Sequence, residues 1–214
     1  MIAAKFRATA MTGQTHLLRA ASIAALVLLF LACALAGGPG NPMDSWFAAH
    51  AGGWRAPPAV LDAALVVTWL GSAPVTLFAT AASSLFLAWR RHGERAAILF
   101  AGVVLARLSI DGLKLYFARA RPPYDIHMFH PYGLSFPSGH AGNSMATYGL
   151  IALLAAPARL RTPALASALI VALFVGSTRI VLGVHWMTDV IGGWSAGLVA
   201  LVLVASLSRA RTAA

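Results

Sequence analysis

Apolar residues dominate the chain in six long runs, at about Leu17–Ala36, Ala63–Trp89, Ala96–Phe117, His140–Ala156, Pro163–Leu182 and Trp186–Leu207. Most approach or exceed the roughly 20 residues that a helix needs to cross a bilayer. A chain in lipid must satisfy its own backbone, so each run is expected to be helical. Gly71 and Pro74 interrupt the second run and predict a kink there. Between the third and fourth runs the pattern breaks into SFPSGHAGNS, Ser135 to Ser144, which is rich in proline, glycine and small polar residues. This polar interruption is the feature that most needs a function.

Composition reinforces the pattern. The chain has 214 residues, 59% of them hydrophobic and 10% charged, where soluble domains carry roughly 25% charged residues. The expectation is an all-α bundle of six transmembrane helices, a single integral-membrane domain over residues 1–214 with little or no soluble part. Cys33 is the sole cysteine, which excludes a disulfide framework and a cysteine-based metal site.

The net charge of +10 raises the question of nucleic acid. Its distribution argues for membrane topology instead, and no nucleic-acid partner is expected. Lys5, Arg7 and Arg19 precede the first run, and Arg90, Arg91 and Arg95 separate the second and third. Arg159 and Arg161 separate the fourth and fifth, and Arg209 and Arg211 follow the sixth. Basic residues favour the cytoplasmic side, so both termini are expected there. Arg55, Lys114, Arg119, Arg121 and Arg179 remain on the opposite side, against that trend. Ala34-Leu35-Ala36 resembles a signal-peptidase site, but the run is long for a signal segment and its retention is expected. Residues 41–58, with Trp46, Phe47 and Trp54, suit a short element lying at the interface.

Three segments gather on the non-cytoplasmic side. Lys114 and Arg121 flank the end of the third run, followed by Pro122 and Pro123, which stop a helix. Two cations there suit an anionic ligand, or snorkel to lipid headgroups. Pro137-Ser138-Gly139-His140 opens the fourth run. Ser138 is a good N-cap, Gly139 permits close approach, and a helix start binds anions, although a simple capped turn has the same signature. A serine-protease reading lacks a base for Ser138. His185 and Asp189 stand four apart after Arg179, on one helix face, so Asp189 can hold one ring nitrogen and leave the other reactive. A structural hydrogen bond or a metal site would use the same pair, but no further ligands are evident. Together these groups suit phosphoryl transfer.

The three segments resemble the tripartite signature of the type 2 phosphatidic acid phosphatase (PAP2) superfamily: K-x6-RP, PSGH and SR-x5-H-x3-D. The one departure is Thr178 in place of serine. The resemblance implies that His185 is the nucleophile forming a phosphohistidine, that Asp189 orients it, and that His140 is the general acid. It implies that Lys114, Arg121, Ser138, Gly139 and Arg179 hold the phosphoryl oxygens, with no metal or cofactor. The implied partners are the bilayer and a lipid phosphate, with undecaprenyl diphosphate ahead of phosphatidylglycerol phosphate, and phosphatidic acid and lipid A as further family substrates. The implied location is a bacterial inner membrane, with the site facing outward. Phosphotransfer to another lipid, and a transporter that only binds its anion, remain open. Asp111 is placed between Arg107 and Lys114 at helical spacing, so a ladder of the three is expected, as plain structural pairing inside the bundle or as support that positions Lys114. Tyr124, His127, His130 and Tyr132 lie between the first two motifs, as headgroup contacts or ordinary loop residues.

Overall fold

The computed structural model of the chain describes residues 2–51, 55–123 and 133–212, with the backbone alone for residues 2–13, 15, 16 and 209–212. Trp54, Tyr124, His127, His130 and Tyr132 lie outside the described residues, as do the side chains of Lys5, Arg7, Arg209 and Arg211.

Eight α-helices make up the described chain: α1 (Ile2–Ala36), α2 (Pro42–His50), α3 (Pro58–Thr68), α4 (Ala73–Trp89), α5 (Gly93–Phe117), α6 (Gly139–Ala155), α7 (Arg161–Val181) and α8 (Met187–Thr212). Four of them contain stretches long and apolar enough to cross a membrane, at Leu17–Ala36, Gly93–Phe117, Ala158–Val181 and Met187–Ser208. The second apolar run is two helices, α3 and α4, bent by 44° across the turn Trp69–Gly71, the shape of a broken span or a re-entrant loop. The kink expected at Gly71 and Pro74 is therefore present, with Pro74 in the first turn of α4. The fourth run, α6, has 17 residues, a length of about 25 Å. It is shorter than the roughly 20 residues a crossing needs, so the described residues hold four helices able to span, or five if α3 and α4 together form one span, where six were expected.

α6 sits at the centre, packed against α5, α7 and α8, while α1 lies along α8. Large apolar side chains such as Leu35, Phe78, Leu85 and Leu105 face outward, as lipid-facing helices require. Inside, Leu87, Leu99, Val103, Leu150 and Leu154 form a core between α4, α5 and α6. α6 and α8 approach backbone to backbone. A Cβ on Gly193 would stand 2.6 Å from the Ser138 carbonyl oxygen, and one on Gly197 2.6 Å from that of Gly142. Small residues let membrane helices close this far.

Candidate active site

The ends of α5, α6, α7 and α8 converge. α5 stops at Ala118, whose left-handed backbone (φ 46°) returns its N–H to the Lys114 carbonyl. The loops that follow are stitched together by backbone bonds. Ser135 N donates to Arg119 O at 2.8 Å, and Ser138 N donates to Asp189 O at 2.9 Å. Segments distant in sequence thereby share one small volume.

At its centre are His185 and Asp189. Nδ1 of His185 lies 3.2 Å from Asp189 Oδ2. An ionised carboxylate only accepts, so Nδ1 carries the proton and Nε2 presents its lone pair. Arg121 Nη1 faces that Nε2 at 3.1 Å. The imidazole is buried, and burial, with Arg121, Lys114, Arg179 and His140 adding to it, holds its pKa well below the ordinary histidine value. Desolvation and neighbouring cations both penalise the imidazolium, so the ring stays neutral. A neutral imidazole oriented through Nδ1 is a competent nucleophile once a phosphoryl group takes the Arg121 N–H that Nε2 accepts here.

Lys114 and Arg121 rest on backbone carbonyls, and Arg179 on a threonine hydroxyl. Lys114 Nζ donates to Leu134 O (3.0 Å) and Ser135 O (3.2 Å). Arg121 donates to Gly133 O (3.0 Å), Val184 O (2.6 Å) and Leu134 O (3.3 Å). Arg179 Nη1 donates to Thr68 Oγ1 at 2.7 Å. Ser138 stands at the N-cap of α6, yet its hydroxyl makes no cap bond. The hydroxyl is fully buried and has no hydrogen-bond partner among the described residues. A Cβ on Gly139 would meet only Asn143 Nδ2 and Lys114 Cε, both at 3.7 Å. His140 is half-buried and borders a cavity of about 390 Å³ with Arg179, Thr68, Ser72, Leu65 and Trp69. Gly71 packs against its ring, where a Cβ would lie 3.1 Å from Cδ2. The Thr178 hydroxyl is used within its own helix, donating to Val175 O at 2.6 Å.

The structure thus brings His185, Asp189, His140, Lys114, Arg121, Ser138, Gly139 and Arg179 to one place. It does not build the ladder expected of Arg107, Asp111 and Lys114. Asp111 is exposed and makes no ion pair among the described residues. Arg107 turns to α4 instead and donates to Thr76 Oγ1 at 2.7 Å. Helical spacing allowed the ladder, but loop carbonyls and a neighbouring helix offered better partners. Among the described residues, no group of three or more His, Cys, Asp or Glu is arranged to hold a metal.

The sequence model of the PAP2 superfamily matches residues 95–213, the segment that carries all of these side chains. The chain belongs to the PAP2 superfamily. It is 36% identical over 103 residues to phosphatidylglycerophosphatase B of Bacillus subtilis, covering 46% of this chain and 50% of the relative. It is 33% identical over 159 residues to a lipid A 1-phosphatase of Rhizobium etli, covering 64% and 62%. The matches thus span about half to three-fifths of these relatives. The crystal structure of a transmembrane PAP2-type phosphatidylglycerolphosphate phosphatase from Bacillus subtilis superposes with a TM-score of 0.75 at 28% identity, over 88% of this chain and 96% of that one. Aquifex aeolicus LpxE shares the fold, with a TM-score of 0.60 at 22% identity, over 76% and 93%.

Beside the PAP2 signature lie polar groups that sequence reasoning did not assign. Ser135 Oγ donates to Asp189 Oδ2 and lies 3.3 Å from His185 Nδ1. Arg119 Nη1 donates to Asp189 Oδ1 at 2.9 Å and Thr188 Oγ1 at 3.0 Å. Asp44, fully buried in α2, accepts from Gly38 N and from both N and Oγ1 of Thr188. α2 therefore does more than rest at an interface. Arg119 had one signal, its charge on the unfavoured side of the topology; Asp44 had none.

Proposed function

We propose that this PAP2 protein is a metal-independent membrane lipid phosphatase that works through a phosphohistidine. The observation that carries the reading is the His185 imidazole, with Nδ1 on Asp189 and Nε2 turned to the Arg121 guanidinium. Nε2 attacks phosphorus and the bond to the lipid oxygen breaks. The departing oxygen takes a proton from His140. Water, giving its proton back to His140, then cleaves the P–N bond and releases phosphate. Lys114, Arg121, Arg179, the Ser138 hydroxyl and the Gly139 amide hold the phosphoryl oxygens, where preorganised donors act strongly.

The substrate follows from the relatives' names and the cavity beside His140. Phosphatidylglycerol phosphate ranks first, ahead of undecaprenyl diphosphate, because a Bacillus subtilis relative at 36% identity and the superposed structure of TM-score 0.75 are both named for it. A 1-phosphate of lipid A is the second reading, supported by the Rhizobium etli relative. Leu65 and Trp69 line the same cavity as His140 and Arg179, which supports apolar contact for a lipid beside groups for its phosphate. In this reading α6 completes six spans, both termini are cytoplasmic, and the site faces the outside of an inner membrane.

Purified protein in detergent with EDTA, offered phosphatidylglycerol phosphate, undecaprenyl diphosphate and lipid A, should release inorganic phosphate. His185→Ala should release none. Phosphate appearing on an acceptor lipid would make the protein a transferase. Folded wild-type protein that releases nothing from any of the three would leave only binding, as in a transporter.

A further inference from the structure

We propose that Arg119, outside the family signature, is a positioning residue that clamps the Asp189 carboxylate to the end of α1. The inference rests on the phosphatase reading of the same site. Asp189 is fully buried and its two oxygens are used differently. Oδ2 receives His185 Nδ1, Ser135 Oγ and, at 2.9 Å, Trp186 N. Oδ1 is held by Arg119. A carboxylate bonded through one oxygen can pivot about its own axis; bonded through both, it cannot. The plane of the carboxylate sets the plane of the His185 ring, and outer partners of this kind orient catalytic imidazoles.

The guanidinium is itself fixed on every side. Its Nη2 donates to Cys33 O (2.7 Å), which also accepts from Gly37 N, and to Ala34 O (2.8 Å), both in the last turn of α1. Its plane lies over the Phe136 ring, 4.3 Å from the centroid. Thr188 Oγ1 accepts from its Nη1 and donates to Asp44 Oδ2 at 2.6 Å. Gly37 must lack a side chain for this to fit, since a Cβ there would stand 2.7 Å from Arg119 Nη1 and 2.1 Å from Thr188 Oγ1. The first helix and the α1–α2 loop, outside the matched family region, thereby become part of the support of the nucleophile.

The test compares Arg119→Gln, Arg119→Lys and Thr188→Val in the full chain, in detergent, with phosphatidylglycerol phosphate. Arg119→Gln should lower kcat by roughly 10- to 100-fold, the usual cost of losing an orienting partner, with KM within about threefold. Arg119→Lys keeps one bond to Oδ1 and should recover part of the loss. Thr188→Val keeps the charge, frees one face of the clamp and should lower kcat several-fold; it carries the test if Arg119→Gln does not fold. A histidine ¹⁵N-NMR spectrum supplies a readout apart from turnover: the Nδ1–H signal of His185 should be sharp in wild type and exchange-broadened in Arg119→Gln. An unchanged kcat and an unchanged Nδ1–H signal in folded Arg119→Gln overturn the clamp while wild-type turnover keeps the phosphatase. A KM that rises with the fall in kcat makes Arg119 a phosphate ligand and also overturns it. An inactive wild type that still loses the Nδ1–H signal in Arg119→Gln overturns the phosphatase and leaves the clamp standing.

Discussion

Replacing Ser138 by alanine should make the protein more stable and less active. A serine at an N-cap ordinarily bonds the first turn, and its loss costs about 1 kcal/mol. Ser138 makes no such bond; its hydroxyl is buried without a partner. Burying a hydroxyl unbonded costs about 1–3 kcal/mol in protein mutational series, so removing the oxygen recovers part of that. The two accounts therefore differ in sign and by about 2 kcal/mol. The backbone is not at issue, because Ser138 N and O keep their bonds to Asp189 O and Gly142 N whatever the side chain. On the activity side, a hydrogen bond to a charged phosphoryl oxygen contributes about 1.5–3 kcal/mol. Its loss lowers kcat/KM by roughly 10- to 100-fold. Thermal unfolding in detergent and turnover of phosphatidylglycerol phosphate measure the two arms on one preparation. A lower Tm with unchanged kcat/KM would refute the reasoning and return Ser138 to the role of a cap.

Asp189→Asn keeps the shape but offers His185 the wrong hydrogen-bonding partner; by analogy with catalytic triads kcat should fall by roughly 10⁴-fold with little change in KM, as steady-state kinetics will show. Arg121→Gln should raise KM and move the acid limb of kcat/KM upward. Arg121 helps hold the His185 pKa down, so its removal lets the ring protonate at higher pH, and the neutral, reactive form is lost earlier as pH falls. The same sign governs stability. The unfolded chain takes up that proton below about pH 6.5 and the folded chain resists it, so wild-type Tm should fall as pH drops through that value. Gly71→Ala places a Cβ 2.3 Å from Val175 Cγ1 and against His140. Overpacking of this kind costs about 1–3 kcal/mol, and a Tm scan with parallel turnover should show both stability and kcat reduced.

Much of the fold and site was legible because the signals were local. Apolar runs announce helices, and the fixed spacing of His185 and Asp189 brings them together, although His185 lies in the turn before α8 and only Asp189 in its first turn. The same rule of spacing failed for Arg107, Asp111 and Lys114. The difference lies in what else was within reach. Asp189 is buried among donors that have nowhere else to go, whereas Arg107 found Thr76 on the adjacent α4 and Lys114 found the carbonyls of residues 134 and 135. Ser138 illustrates the opposite limit. Its residue type and position spell a cap, and only the bonded geometry reveals that the hydroxyl is uncommitted. Asp44 was illegible in principle. It follows a proper cap at Asn41 and looks like an ordinary acid in a first helical turn, while its partner Thr188 lies 144 positions away.

The way the cations are held explains how so much positive charge survives at a membrane surface without losing its use. A carboxylate partner would fix a lysine or arginine but cancel its charge, and would compete with a phosphate for the same donors. Carbonyl oxygens fix the side chain by dipoles alone and leave the net charge for an incoming anion. Lys114 rests on Leu134 O and Ser135 O, and Arg121 on Gly133 O, Leu134 O and Val184 O. Arg119 is held by an ion pair, with Asp189 at 2.9 Å. Its charge is spent on the carboxylate that steers His185, which is why it belongs with the nucleophile and not with the phosphate. The loop 133–138 supplies several of these carbonyls and also Ser135 and Ser138. Proline, glycine and small polar residues interrupt the apolar pattern there because irregular backbone, with its carbonyls turned inward, is the material from which the cation supports are made.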